Sequence, residues 1–99
     1  MSFRVRFSRE AEDDLLRLYD FLLAQDLDAA ERALQAIRDG LDMLKRFPFS
    51  CRKAAPDQPR LRELIVPFGG SGYVVLFEID DANIVTILAV RHQREDDYW

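Results

Sequence analysis

The chain has 99 residues, 48% of them hydrophobic and 32% charged, which describes one globular domain over residues 1–99 and excludes a disordered chain. Its net charge of −4 argues against broad electrostatic binding to nucleic acid, so no direct nucleic-acid contact is expected. One cysteine and one histidine leave no intramolecular disulfide and no zinc site, and no stretch nears the ~20 apolar residues of a membrane span; a soluble, cytoplasmic chain without metal, cofactor or membrane contact is the expectation.

Phe3-Arg-Val-Arg-Phe7 alternates apolar and basic residues and predicts a short strand with Phe3, Val5 and Phe7 facing a core. Ser8 is a good helix N-cap, and Glu10, Glu12, Asp13 and Asp14 crowd the first turns, where the helix dipole favours negative charge. Dipole and solubility account for those carboxylates without a metal or catalytic role. Ala11, Leu15, Leu18, Tyr19 and Leu22 recur at helical spacing and form a buried stripe. Gln25–Asp28 breaks the pattern, and Asp28 with Glu31 resembles a capping box. A second helix over 28–46 carries Ala30, Ala33, Leu34, Ile37, Leu41 and Leu44 on one face, with Gly40 inside it, and Phe47-Pro48 stops it. Two amphipathic helices over 8–24 and 28–46, so briefly linked, predict an antiparallel hairpin.

Residues 48–60, with prolines at 48, 56 and 59, predict a loop. Leu61–Val66 predicts a strand ended by Pro67 and the Phe68-Gly-Gly-Ser-Gly72 turn; Tyr73–Ile79 and Ile84–Arg91 predict two more, joined by Asp80-Asp-Ala-Asn83, where Asn83 tolerates a left-handed conformation. The nearly continuous run Ile84-Val-Thr-Ile-Leu-Ala-Val predicts a strand covered on both faces. The order is βααβββ and the class α+β, a helix hairpin packed on a small antiparallel sheet.

Ser8-x-x-Ala11-x-x-Asp14-Leu15-x-x-Leu18-Tyr19-Asp20, the Phe47-Pro48 stop, Leu61-Arg-Glu-Leu64, Tyr73-Val-Val-Leu-Phe77 and Val90-Arg-His-Gln-Arg-Glu95 together, in this order, resemble the RelE/ParE superfamily of toxins from bacterial type II toxin–antitoxin systems. The Arg-His-Gln-Arg-Glu ending and long helix hairpin look closer to its ParE branch. The resemblance implies a toxin that inhibits growth, held in a hetero-oligomer by a cognate antitoxin encoded beside it. It further implies DNA gyrase as target for the ParE branch, and ribosome-dependent messenger RNA cleavage for the RelE branch.

A metal-free ribonuclease needs a base for the 2′-OH, an acid for the leaving oxygen and cations around the phosphate. Arg62, His92 and Tyr98 are the candidates for that alternative; with lysine only at 45 and 53, and Glu95, Asp96 and Asp97 in the tail, no catalytic residue is assigned under the leading reading. That reading is a toxin that binds its target through the tail, by Arg91, His92, Arg94, Tyr98 and Trp99. Tyr98 and Trp99 fit as interface anchors or as a packed apolar tail. Antitoxin contacts are expected at Leu16, Leu23 and Leu27, which fall off the buried stripe, and at Arg60 and Arg62. The bland alternatives are a strand-end hydrogen bond for His92 and solvated edge charge for the two arginines. A non-toxic adaptor whose sheet edge accepts a peptide strand is the third class.

Overall fold

Alternation in the opening segment produces β1 (Arg4–Phe7), with Val5 and Phe7 facing the helices. The structure, a computed structural model, describes residues 2–93. Helix α1 runs Arg9–Leu23 and α2 runs Leu27–Leu44; β2 (Arg52–Ala55), β3 (Gln58–Phe68), β4 (Ser71–Ile79) and β5 (Ile84–His92) follow. The sheet order is β1-β5-β4-β3-β2, and the two helices pack on one of its faces.

The α+β class and the helix hairpin on a sheet stand. The sheet is mixed, however. β1 lies parallel to β5, Arg4 opposite Ile84 and Phe7 opposite Ile87, a pairing between strands far apart in sequence that connects through the helix hairpin and the meander. β3, β4 and β5 form the expected antiparallel meander.

The proline-rich segment is not a loop. A 3₁₀ turn over Pro48–Ser50 leads into β2, which folds back on β3 with Arg52 opposite Glu63 and Lys53 opposite Arg62. β3 also runs through Pro67, and the pairing explains why. Gly72, opposite Pro67, offers its carbonyl to the amide of Gln93, just past β5, at 2.9 Å. The pair therefore exchanges no ladder hydrogen bond, and the missing proline N–H costs nothing there.

Helix ends follow local chemistry. Ser8 Oγ accepts the Ala11 amide at 3.1 Å, as its cap position predicts. The cap of α2 is Asp26 rather than Asp28: its side chain accepts the Asp28 amide at 3.0 Å, and Asp28 instead pairs with Arg32 at 2.9 Å. Asn83 takes a left-handed φ of 61°, where Asp80 Oδ1 accepts the amides of Ala82 and Ile84.

Phe77, Leu44, Ile79, Ile87, Val75, Val85 and Val90 are the large fully buried side chains of the core. Ala11, Leu18 and Ile37 join them, whereas Leu15, Leu34 and Leu41 are half-buried at the margin. The continuous apolar run of β5 has a second cause besides burial. Phe77 pairs with Ile87 but Leu76 with Ala89, so Leu88 is an extra, bulged residue. Val85 and Ile87 face the helices before the bulge, and Val90 does after it. Ala89 and Val74 are buried on the opposite face.

Candidate functional site

Among the described residues, the side chains that could carry function fall in three places. At the C-terminal end of β5, His92 lies opposite Tyr73 and is half-buried. Its Nε2 sits 2.9 Å from Ser71 Oγ, and its ring meets Tyr73 edge-on at 5.6 Å. Phe68 continues the stack 6.1 Å from Tyr73. These rings and α1 enclose an open, mainly apolar groove of about 800 Å³, lined by Leu18, Phe21, Leu22, Phe68, Tyr73 and His92. Burial pushes the Tyr73 phenol above its ordinary range.

The second place is the outer surface of the helix hairpin. Leu16, Leu23 and Leu27 are exposed, by 62%, 38% and 57%, and Leu16 and Leu23 share a flank of α1. The opposite flank carries Phe21, 64% exposed, which the sequence reading overlooked. Its signal was available: ten positions after Ala11, it falls about 80° off the buried stripe at 100° per residue. Too far round to be core, it projects over the His92 groove.

The third place is the start of β3. Arg60 donates to the Ile79 carbonyl at 3.3 Å and pairs with Asp81 at 2.7 Å. Arg62 is committed more deeply. Its guanidinium donates to the carbonyls of Pro59 (2.7 Å), Phe49 (3.2 Å) and Cys51 (2.8 Å) and lies over the Phe49 ring at 5.3 Å. It ties the 3₁₀ turn and β2 to β3. Cys51 beneath it is buried, and desolvation pushes its thiol upward, partly opposed by the Arg62 charge.

Of the nuclease candidates, the described residues include Arg62 and His92, and these two stand apart. Arg62 pairs with Phe77 while His92 pairs with Tyr73, four positions along β4, roughly 13 Å by strand rise alone. Arg91 donates to the His92 carbonyl at 3.4 Å. Arg94, Tyr98 and Trp99 lie outside the described residues. Among the described residues, no group of three or more His, Cys, Asp or Glu side chains could hold a metal, and no helix is long and apolar enough to cross a membrane.

Comparison with known proteins follows the same outline. The family model described as ParE toxin of type II toxin–antitoxin system, parDE, matches residues 5–97. Toxin RelE1 of Caulobacter vibrioides is 34% identical over 79 residues, 80% of this chain and 82% of that protein. Among solved structures, the chromosomal ParDE toxin–antitoxin system from P. aeruginosa superposes with a TM-score of 0.73 at 18% identity, over 92% of this chain and 96% of that one. A chain of the toxin–antitoxin complex RelBE2 from Mycobacterium tuberculosis gives 0.62 at 24% identity, over 94% and 100%. At such identities the structures share the fold.

Proposed function

The chain belongs to the ParE toxin family of type II toxin–antitoxin systems, and from that premise we propose that it arrests growth by occupying DNA gyrase and is neutralised in a hetero-oligomer by an antitoxin encoded beside it. The antitoxin partner is supported by the two solved neighbours, which come from a ParDE system and a RelBE2 complex.

The observation that carries binding over catalysis is the separation of the charged candidates. His92 is held by Ser71 and Tyr73 at one end of the sheet. Arg62, at the other end of the pairing, donates from Nε and Nη1 to three main-chain carbonyls. Phosphoryl chemistry without a metal needs base, acid and cations around one phosphate. The groove beside His92 is apolar instead, and apolar grooves with a few polar groups suit a protein surface. The net charge of −4 also works against docking on ribosomal RNA. The target side would comprise Arg91 and His92, with Arg94, Tyr98 and Trp99 beyond them.

The second reading, a ribosome-dependent messenger RNA endonuclease, is favoured by the 34% identity to a toxin named RelE1. Inducible expression with and without the adjacent gene separates the two. Gyrase-type toxicity gives a DNA-damage response and loss of supercoiling activity by purified gyrase. Translation arrest with cleaved messenger RNA and unaffected gyrase would replace the proposal by the second reading.

A further inference from the structure

Two phenylalanines flank the turn after α2. Phe47 is 60% exposed and Phe49 48%, while Pro48 between them is fully buried. The 3₁₀ turn Pro48–Ser50 is thus pinned inward by its proline and by the buried Cys51 that follows, and both rings are left outside. Hydrogen bonds hold the turn in place. The Phe47 amide donates to Met43 O at 2.9 Å, and the Phe47 carbonyl accepts the Ser50 amide at 3.1 Å and Ser50 Oγ at 2.7 Å. Phe49 is braced edge-on by Phe3 at 6.3 Å and lies under the Arg62 guanidinium, so its ring also serves the fold. Phe47 is tied in through its main chain, which any residue could supply; its ring answers to something outside the chain. The same region is basic. Residues 45–62 carry six bases and one acid, whereas the rest of the chain carries eight bases and seventeen acids. Four of the six are engaged: Lys45 with Asp42, Arg52 with Glu63, Arg60 with Asp81, and Arg62 with main-chain carbonyls. Arg46, next to Phe47, and Lys53, opposite Arg62, are exposed and have no acidic partner among the described residues.

We propose that Phe47 and Phe49, flanked by Arg46 and Lys53, seat this chain on its protein target, the rings entering an apolar cleft edged by carboxylates. This rests on the reading above that the toxin works by occupying a protein, and it gives that reading a surface separate from the His92 groove. Aromatic side chains already held in place lose little freedom on binding and are typical anchors, while charges around them set the approach and the register. Charge also selects the occupant. Single-stranded nucleic acid stacks on aromatic rings too, but it needs a track of open cations along its phosphates, and the ion pairs here leave two. A second copy of this chain docked symmetrically through the turn would set Arg46 and Lys53 against their own counterparts, which repels.

The test uses the full chain with Phe47→Ser, which leaves the main-chain bonds of the turn in place, and with the double variant Arg46→Glu/Lys53→Glu. Supercoiling by purified DNA gyrase, growth arrest on induction, co-purification with the product of the adjacent gene and the melting midpoint are scored together. Each variant should raise the concentration for half-inhibition of gyrase about tenfold or more and relieve growth arrest, with the melting midpoint and the antitoxin complex unchanged. If Phe47→Ser melts early, the charge variant carries the same readouts. Inhibition of gyrase by the variants as strong as by the parent chain overturns this surface and leaves the gyrase reading standing. Growth arrest without any effect on gyrase overturns the gyrase reading instead. Arrest then decides the surface: its loss in the variants supports the patch with another protein as target, and its persistence overturns it. Loss of the antitoxin complex in Phe47→Ser would give the patch to the antitoxin and overturn the proposal. So would binding of a labelled oligo(dT) strand that Phe47→Ser abolishes, or self-association of the parent chain that Phe47→Ser abolishes.

Discussion

Asp14 Oδ2 accepts the Val90 amide at 2.9 Å, across 76 positions of sequence. β1 covers β5 only as far as Ile87, and the chain then turns into α1. From there the helix supplies what a strand would have supplied. Ser8 Oγ donates to the Leu88 carbonyl at 3.3 Å, and Asp14 takes the Val90 amide just past the bulge. Two side chains on the first turns of a helix thus complete the ladder of a strand. Replacing Asp14 by Ala leaves a buried N–H without its acceptor. A loss of about 2 kcal/mol is expected, with each kcal/mol moving the melting midpoint by about 4–8 °C in a domain of this size. Asp14→Asn keeps a carbonyl acceptor and should cost less than about 1 kcal/mol. Thermal melts of the two variants check the order.

That contact marks where the sequence stops being legible. Periodicity located both helices and the β3–β5 meander, because each buries one face at its own period. It could not show that Asp14, one carboxylate among four in a run, reaches β5 while its neighbours face solvent. β2 was hidden for a different reason. Arg52-Lys-Ala-Ala55 lacks β-branched residues and sits among prolines, and contacts from Arg62 on β3 to the Cys51 carbonyl and the Phe49 ring just ahead of it hold it to the sheet. Arg62 itself reads from the sequence as an antitoxin contact, a nuclease candidate or edge charge; only the fold places three carbonyls around it. The exposed Leu16, Leu23 and Leu27 were readable, since an apolar residue off the stripe needs no tertiary information.

Gly72 and Gly40 separate a hard close approach from a soft one. A Cβ at Gly72 would collide with the Val66 carbonyl oxygen, a main-chain atom that the β3–β4 pairing holds in place. A Cβ at Gly40 would come 3.1 Å from the side chains of Leu64 and Val66, which can shift. Gly72→Ala should therefore cost about 3 kcal/mol or more. Gly40→Ala should stay within about 1 kcal/mol of neutral, because its helix propensity gain offsets the crowding. Denaturant unfolding of both variants decides this.

Arg62 and Cys51 make a coupled prediction. Removing the guanidinium in Arg62→Ala frees three carbonyls and the Phe49 ring, and should cost about 2 kcal/mol. It should also expose Cys51, so thiol alkylation at neutral pH should accelerate even though the Arg62 charge that favours the thiolate is lost. The pH dependence has a definite sign. Burial raises the Cys51 thiol above its ordinary value of 9.0, so the unfolded chain ionises first as pH rises. The contribution of this group to stability is complete below pH 9.0 and is lost as pH climbs toward the raised folded value. Denaturant midpoints in Cys51→Ala should show a shallower decline over that range.

Leu16→Asp and Leu23→Asp test the hairpin surface. Both residues are exposed in the free chain, so each substitution should change stability by no more than about 0.5 kcal/mol. If they anchor the antitoxin, each should weaken the complex by about tenfold or more, mainly through faster dissociation. Unchanged affinity in both variants would remove this face from the antitoxin interface.

His92 decides between binding and catalysis. Its Nε2 contact with Ser71 and its edge-on packing against Tyr73 are interactions that a planar amide can partly replace. His92→Gln retains a polar group near Ser71 and removes proton transfer near neutral pH. An acid–base role would be worth about 10²–10⁴-fold in rate, so a nuclease would lose its toxicity with this single change. A toxin that works by occupying its target should keep most of it. Deleting residues 95–99 should act in the opposite sense, abolishing growth arrest while the antitoxin complex still forms, which also reports that the shortened chain folds. Growth arrest and co-purification scored together for both variants give the answer. An inert His92→Gln beside a toxic truncation would point to RNA cleavage.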